Sequence, residues 1–208
     1  MSCPRCEESN AFWTPGFASS GTRERGATLI EVLVTIVILT FGLLGVAALQ
    51  VRMQLAQTES YYRAHAVLLM QDIVDRVNAN RINALNYVTT GPLGAGNAIQ
   101  DCTGLTGAAL DLCEWNNALL GTAENTAGGQ QAGGMIGARG CITNVSATMP
   151  REFVVAVAWQ GLVPTVAPAA TDCGQGLYGN EQTRRALVAR VTIGCLQNDP
   201  TTGLCVTP

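Results

Sequence analysis

Lysine is absent, histidine occurs once, and charged residues make up only 13% of the 208 positions. All twelve basic residues are arginine. Schiff-base chemistry and isopeptide cross-links through a side-chain amine are therefore excluded. The net charge of −3 and the scattered arginines argue against nucleic-acid binding, which needs a basic face. No Gly-x-Ser-x-Gly elbow and no acid pair framed by histidine is present, so the common hydrolase patterns are missing. The paired glycines between Gly121 and Gly140 do not make a phosphate loop, because no Lys-Ser/Thr follows them. His65 reads as a packing or surface residue, as do Tyr61 and Tyr62. Proline is missing between Pro15 and Pro92, which leaves room for a very long uninterrupted helix.

What is present begins with an apolar run. From Ala27 to Leu49 the one formal charge is Glu31. As a helix this run would extend roughly 34 Å, enough for a hydrocarbon core of about 30 Å. Arg23 and Arg25 precede it and no basic residue follows before Arg52. Positive charge on that side keeps the N-terminal end cytoplasmic and exports the remainder. A plain signal anchor explains the run but gives Glu31 nothing to do. At a helix centre a carboxylate would cost about 2.5–3.5 kcal/mol on insertion scales.

Arg25-Gly26-Ala27-Thr28-Leu29-Ile30-Glu31, followed by the apolar run, resembles the class III signal of type IV pilins and type II secretion pseudopilins. That resemblance implies cleavage by a prepilin peptidase between Gly26 and Ala27 and N-methylation of Ala27. Residues 1–26 would be the leader, and a translation start later than Met1 is an open alternative. Glu31 would then be the fifth residue of the mature chain. It would offset the new α-ammonium, because an unpaired charge in an apolar setting is costly. It would also set axial register against a neighbouring subunit. The chain departs from the family pattern at Ala27, where phenylalanine is usual.

The resemblance implies an α+β type IV pilin fold, with a long N-terminal helix packed on a small antiparallel sheet stabilised by disulfides. Residues 27–50 would be the membrane-spanning and filament-core half of the helix, 51–82 its amphipathic half, and 83–208 a periplasmic head. Leu55, Tyr62, Ala66, Leu69, Ile73 and Val77 recur at helical spacing and predict one helix from about Thr28 to about Asn80. Asp72 and Arg76 can pair along it as a modest surface interaction. Gly42 and Gly45 weaken the first half locally. A short helix is predicted around Ala108–Leu120, with Trp115 anchoring it to the head. Gly121–Gly140 reads as a loop. Strands are predicted at Cys141–Thr148, Glu152–Trp159 and Arg184–Cys195, with a loop carrying Cys173 between the last two.

Cys3 and Cys6 precede the apolar run, and their C-x-x-C spacing is only a half-site. Six cysteines follow it, none in a C-x₂-C spacing, so disulfides are favoured over metal once the head is exported. Several connectivities remain open. Short closures favour Cys102–Cys113, Cys141–Cys173 and Cys195–Cys205. No metal or cofactor is expected.

LIEVLVTIVILTFGLLGVAALQ, the Asp111–Trp115 run and the Arg184-Arg185 strand are similar to the minor-pilin branch of the family. Membership there implies a non-enzymatic protein of the bacterial inner membrane, later found in the pilus. Its partners would be other minor pilins and the major pilin through the N-terminal helix, the prepilin peptidase, the inner-membrane assembly platform and, before assembly, the lipid bilayer. A minor pseudopilin of type II secretion is the alternative, and a signal-anchored exported enzyme a remote one. A tip adhesin using the Gly121–Gly140 loop is compatible with the minor-pilin reading.

Overall fold

The computed structural model describes residues 26–122, 134–146 and 148–195. The chain divides into two compact units, Met1–Ala48 and Leu49–Pro208. The elements, in order, are α1 (Leu29–Ala79), a 3₁₀ segment (Arg81–Tyr87), β1 (Leu93–Gly94), α2 (Gly107–Leu119), β2 (Arg139–Asn144), β3 (Arg151–Gln160), a second 3₁₀ turn (Glu181–Thr183) and β4 (Arg184–Ile193). The expected α+β architecture is present: a long N-terminal helix, an antiparallel sheet and disulfides.

In the first unit the described part is a helix with no core of its own. Every residue from Leu29 to Ala48 is exposed, including Leu29 at 91% and Phe41 at 72%. Leucine, isoleucine and valine occupy all sides of it, so this stretch has no polar face to offer water. The threonines within it do not break the pattern. Thr35 Oγ1 donates to the Val32 carbonyl at 2.8 Å, and Thr40 Oγ1 to the Val37 carbonyl at 2.7 Å. Each hydroxyl is thus satisfied by its own helix and can enter an apolar medium without a stranded donor.

The second unit is built on a four-stranded sheet in the order β1-β2-β3-β4, antiparallel throughout. Alternation in β3 divides its side chains between two faces. Phe153, Val155, Val157 and Trp159 join the main core with Ala66, Ile73 and Val77 of α1. Ile73, Val77, Ile142, Phe153, Val155 and Val157 have no exposed surface, and burying each such side chain contributes about 1.5–3 kcal/mol. On the opposite face Ala156 and Ala158 pack with Cys173 and Tyr178 in a smaller cluster, which Cys141, Ala186 and Val188 border.

Two disulfides secure what the sheet does not. Cys102–Cys113 ties the segment before α2 to the middle of that helix. Cys141–Cys173 ties the long β3–β4 connection to β2 beside the smaller cluster. These are two of the three short closures favoured above. Cys195 is also disulfide-bonded; Cys205 lies outside the described residues, as do Cys3 and Cys6.

Several expectations require correction. The sheet starts earlier than expected, with two-residue β1 pairing Leu93 to Gly140 and Gly94 to Arg139. A two-residue strand is too short to show any alternation. Arg139 and Gly140 therefore belong to β2, not to a loop, while residues 123–133 of the Gly121–Gly140 segment lie outside the described residues. At its other end β2 stops at Asn144, whose side chain accepts from the Ser146 backbone N–H at 3.2 Å and turns the chain. Strand β4 ends at Ile193, two residues before Cys195. Leu55, at 40% exposure, lies before the buried stripe of α1 begins. Tyr61 is also exposed rather than packed and stacks on His65, with ring centroids 6.1 Å apart.

Gly140 explains how α2 comes so close to the sheet. A Cβ at this position would lie 2.3 Å from Trp115 Cη2 and 2.7 Å from Leu119 Cδ1. Both side chains are buried in the main core and have no room to withdraw. Gly140→Ala is expected to destabilise the head by about 1–3 kcal/mol through overpacking. A thermal unfolding midpoint equal to that of the wild type would contradict this packing account.

Candidate functional site

The signal-like segment is where backbone geometry and sequence pattern meet. Gly26, Ala27 and Thr28 are exposed and non-helical, and α1 begins at Leu29. Among the described residues, nothing lies within 4 Å of a Cβ built at Gly26. Among those residues the Gly26–Ala27 peptide bond is therefore open and outside any helical hydrogen-bond ladder. Thr28 caps the helix. Its carbonyl accepts from the N–H groups of Glu31 (3.0 Å) and Val32 (3.2 Å), and its Oγ1 also accepts from Glu31 N–H at 3.3 Å.

Thr28-Leu29-Ile30-Glu31 has the Ser/Thr-x-x-Glu spacing of a capping box, a signal of the helix start that is present in the sequence itself. Glu31 stands in the first turn of α1, where a carboxylate also complements the positive end of the helix dipole. Three small features thus converge on four residues: an open peptide bond, a capped helix start and an acidic first turn. Among the described residues α1 is the one helix long and apolar enough to cross a membrane.

The second unit contributes a scaffold tied together by polar contacts, most of them invisible in sequence. Asp72 and Arg76 do pair, at 3.1 Å, but Arg76 does more than the expected surface contact. Its Nη1 also meets Asp111 at 3.0 Å and Glu114 at 2.6 Å on α2. Burial pulls the Arg76 pKa down, and the hydrogen bonds from Glu114, Asp111 and Asp72 outweigh it, so the group is held firmly charged. Asp111 also accepts a short hydrogen bond from the buried Tyr87 hydroxyl. The Trp115 indole donates to the Leu69 carbonyl of α1 at 2.9 Å, which anchors α2 as expected. The Asp111–Trp115 run therefore has a physical role: it docks α2 on α1.

The Arg184-Arg185 pair is similarly structural. Arg184 is 2% exposed, and its guanidinium donates to Glu181 (2.6 Å) and to the carbonyls of Thr171 (2.8 Å), Cys173 (3.3 Å) and Pro168 (3.1 Å). One side chain thereby fixes the β3–β4 connection. Arg185 Nε meets Glu59 of α1 at 2.8 Å across 126 residues of sequence. Glu181 is held below the usual carboxylate range by the Gly176 N–H and then by Arg184. Among the described residues no group of three or more His, Cys, Asp or Glu side chains could hold a metal ion.

Residues 21–47 match the family model described as the prokaryotic N-terminal methylation motif. No curated protein and no solved structure matches the chain. The motif supports a type IV pilin-like protein, membrane-anchored through its N-terminal helix. The long apolar helix, the small antiparallel sheet and the disulfides make up the type IV pilin α+β fold.

Tyr87 provides a pH test of the α1–α2 junction. Burial first, and the Asp111 carboxylate second, push its phenol up to about 12. The neutral form is favoured in the fold, so its contribution is complete below the unfolded-state value near 10. That contribution is lost as pH rises from about 10 through about 12. Tyr87→Phe is expected to weaken the fall of the unfolding midpoint across that window. An identical pH profile in the variant would show that the junction does not depend on the protonated phenol.

Proposed function

We propose that this chain is a minor pilin of a type IV pilus, similar to the type IV pilus modification protein PilV. It is made as a precursor, cut between Gly26 and Ala27, methylated on Ala27 and inserted through α1 into a filament that it helps to prime. The observation that carries this reading is the pairing of an open Gly26–Ala27 bond with a helix that is apolar and uncovered from Leu29 to Ala48. An anchor alone would need the helix. The glycine at an open bond, followed five residues on by a carboxylate in an otherwise apolar run, is accounted for if the helix acquires a new N-terminus.

Cleavage leaves an α-ammonium at Ala27, four residues before Glu31. In an apolar medium an isolated ammonium is strongly disfavoured, and a carboxylate one turn away offsets it. The same carboxylate can meet the ammonium of an adjacent subunit, so that axial register is fixed by charge in a seam that is otherwise uniformly apolar. Such pairs specify register better than they add stability. Membrane insertion places the head in the periplasm before assembly, and motility or adhesion follows from the finished pilus. The helix and motif would also serve a minor pseudopilin of type II secretion. The disulfide-rich head favours the pilus reading. The role proposed is structural.

Glu31→Ala separates processing from assembly. The precursor is expected to be cut to the same mature length as the wild type. Its amount in sheared filaments is expected to fall more than about tenfold, consistent with loss of a charge partner worth more than roughly 1.4 kcal/mol. Immunoblots of membrane and filament fractions measure both quantities. Unchanged incorporation would remove Glu31 from the assembly mechanism.

A further inference from the structure

The β3–β4 connection opens with Gly161–Ala170, GLVPTVAPAA, a run without a single charge. Leu162, Val163, Pro164 and Val166 are all exposed, Val166 at 91%. Adjacent exposed apolar side chains of this kind mark a contact surface. The run is held in one conformation by the head. Arg185 Nη2 donates to the Val163 carbonyl at 2.5 Å, and Arg184 Nη2 to the Pro168 carbonyl at 3.1 Å. Its donors are largely covered as well. The N–H groups of Gly161 and Thr165 reach the carbonyls of Thr183 and Gln182, each at 2.7 Å, and that of Leu162 reaches Glu59 at 3.2 Å. Pro164 and Pro168 have no N–H. Backbone satisfied in this way can enter a medium poor in water without stranding those groups.

Contacts inside the unit Leu49–Pro208 fix which end of it carries this run. Arg185, at the start of β4, meets Glu59 of α1. At the other end of the sheet, Arg151 and Ile193 line a cleft with Arg81 and Ile82. β3 therefore runs toward the lower-numbered end of this unit's part of α1, and the connection leaves the sheet there. Val51, Leu55 and Glu59 are spaced by four and share one helix face. Val51 and Leu55 are exposed, so an apolar strip on α1 leads up to the residue on which the loop is seated. The free charge nearby is positive: Arg52 and Arg63 make no ion pair among the described residues, whereas Glu59 is engaged by Arg185.

We propose that Val51 and Leu55, together with Leu162, Val163 and Val166, form a second membrane contact, seated in the headgroup–acyl boundary of the bilayer while the chain is anchored. Continuity with the anchor selects lipid as the occupant: the apolar run Ala27–Leu49 ends two residues before Val51 in the sequence. Apolar side chains at such a boundary enter it by about 5–10 Å. Arg52, next to Val51, supplies a positive charge at the level of the lipid phosphates. The contact belongs to the anchored chain and holds whether that chain later joins a pilus or a secretion pseudopilus.

The test is photolabelling of the full chain in vesicles of phosphatidylethanolamine and phosphatidylglycerol that contain a phospholipid with a diazirine near its glycerol backbone. After reduction and digestion, mass spectrometry is expected to find lipid adducts at Leu162–Val166 as well as within Leu29–Ala48. Ile82 is the internal control, because it is 61% exposed but lies at the other end of the sheet. It is expected to stay unlabelled. Val166→Asp is expected to lower the adducts at 162–166 about tenfold relative to those within Leu29–Ala48. Val166 packs on nothing, so an unfolding midpoint equal to that of the wild type shows the variant folded. Three results overturn the second contact: labelling of Leu29–Ala48 without 162–166, labelling of Ile82 equal to that of the loop, or undiminished loop labelling in Val166→Asp. Absence of adducts from Leu29–Ala48 itself instead overturns the membrane anchoring on which the contact depends.

Discussion

The stripe formed by Ala66, Ile73 and Val77 on α1 is the contact on which the head depends. The sheet presents Ile142, Phe153, Val155, Val157 and Val191 to one side, and that surface must be covered. α1 supplies the cover from about Tyr62 onward, and α2 completes it because Gly140 leaves space for Trp115 and Leu119. Polar contacts then fix how these pieces meet. Arg76 and Tyr87 hold α2 through Asp111, the Trp115 indole reaches Leu69, and Arg185 reaches Glu59. On the far side of the sheet the smaller cluster is kept in place by Cys141–Cys173 and by the buried fork of Arg184. A head with a small sheet thus relies on a small number of well-placed links.

The N-terminal part of α1 obeys the opposite rule. Between Leu29 and Ala48 it buries nothing, and its threonine hydroxyls are turned back onto its own carbonyls. Such a segment is ready for either lipid or the apolar flanks of similar helices, since neither asks for an exposed polar group. Charge is confined to its first turn, where Thr28 caps the backbone and Glu31 stands at the acidic position of the Ser/Thr-x-x-Glu spacing. A helix that is uniform along its length has no preferred register; in the function proposed here, one carboxylate at its start supplies it.

Periodic segments were legible in the sequence, and single contacts were not. α1 was visible within one residue at each end because proline is absent and the apolar spacing persists for fifty residues. β3 and its two faces followed from alternation alone. The short closures Cys102–Cys113 and Cys141–Cys173 were accessible because nearby cysteines close loops easily. β1 escaped notice because two residues carry no period. Arg76 looked like a surface partner of Asp72, because nothing in the sequence showed that α2 would bring Asp111 and Glu114 to the same guanidinium. The helix start at Thr28 was legible from its Ser/Thr-x-x-Glu spacing, in which Glu31 is a helix-start residue as well as a charge. The contact between Glu59 and Arg185 depends on a helix–sheet juxtaposition that no linear pattern encodes.

The central claim is that the apolar helix is released from its leader at Gly26 and enters the filament with Ala27 as its first residue. The most direct test is intact-mass and terminal-fragment analysis of the mature protein recovered from membranes and from filaments. This account predicts a chain that begins at N-methylated Ala27 and retains the whole of α1. A chain that keeps residues before Ala27, or one cut after the apolar run, would contradict it.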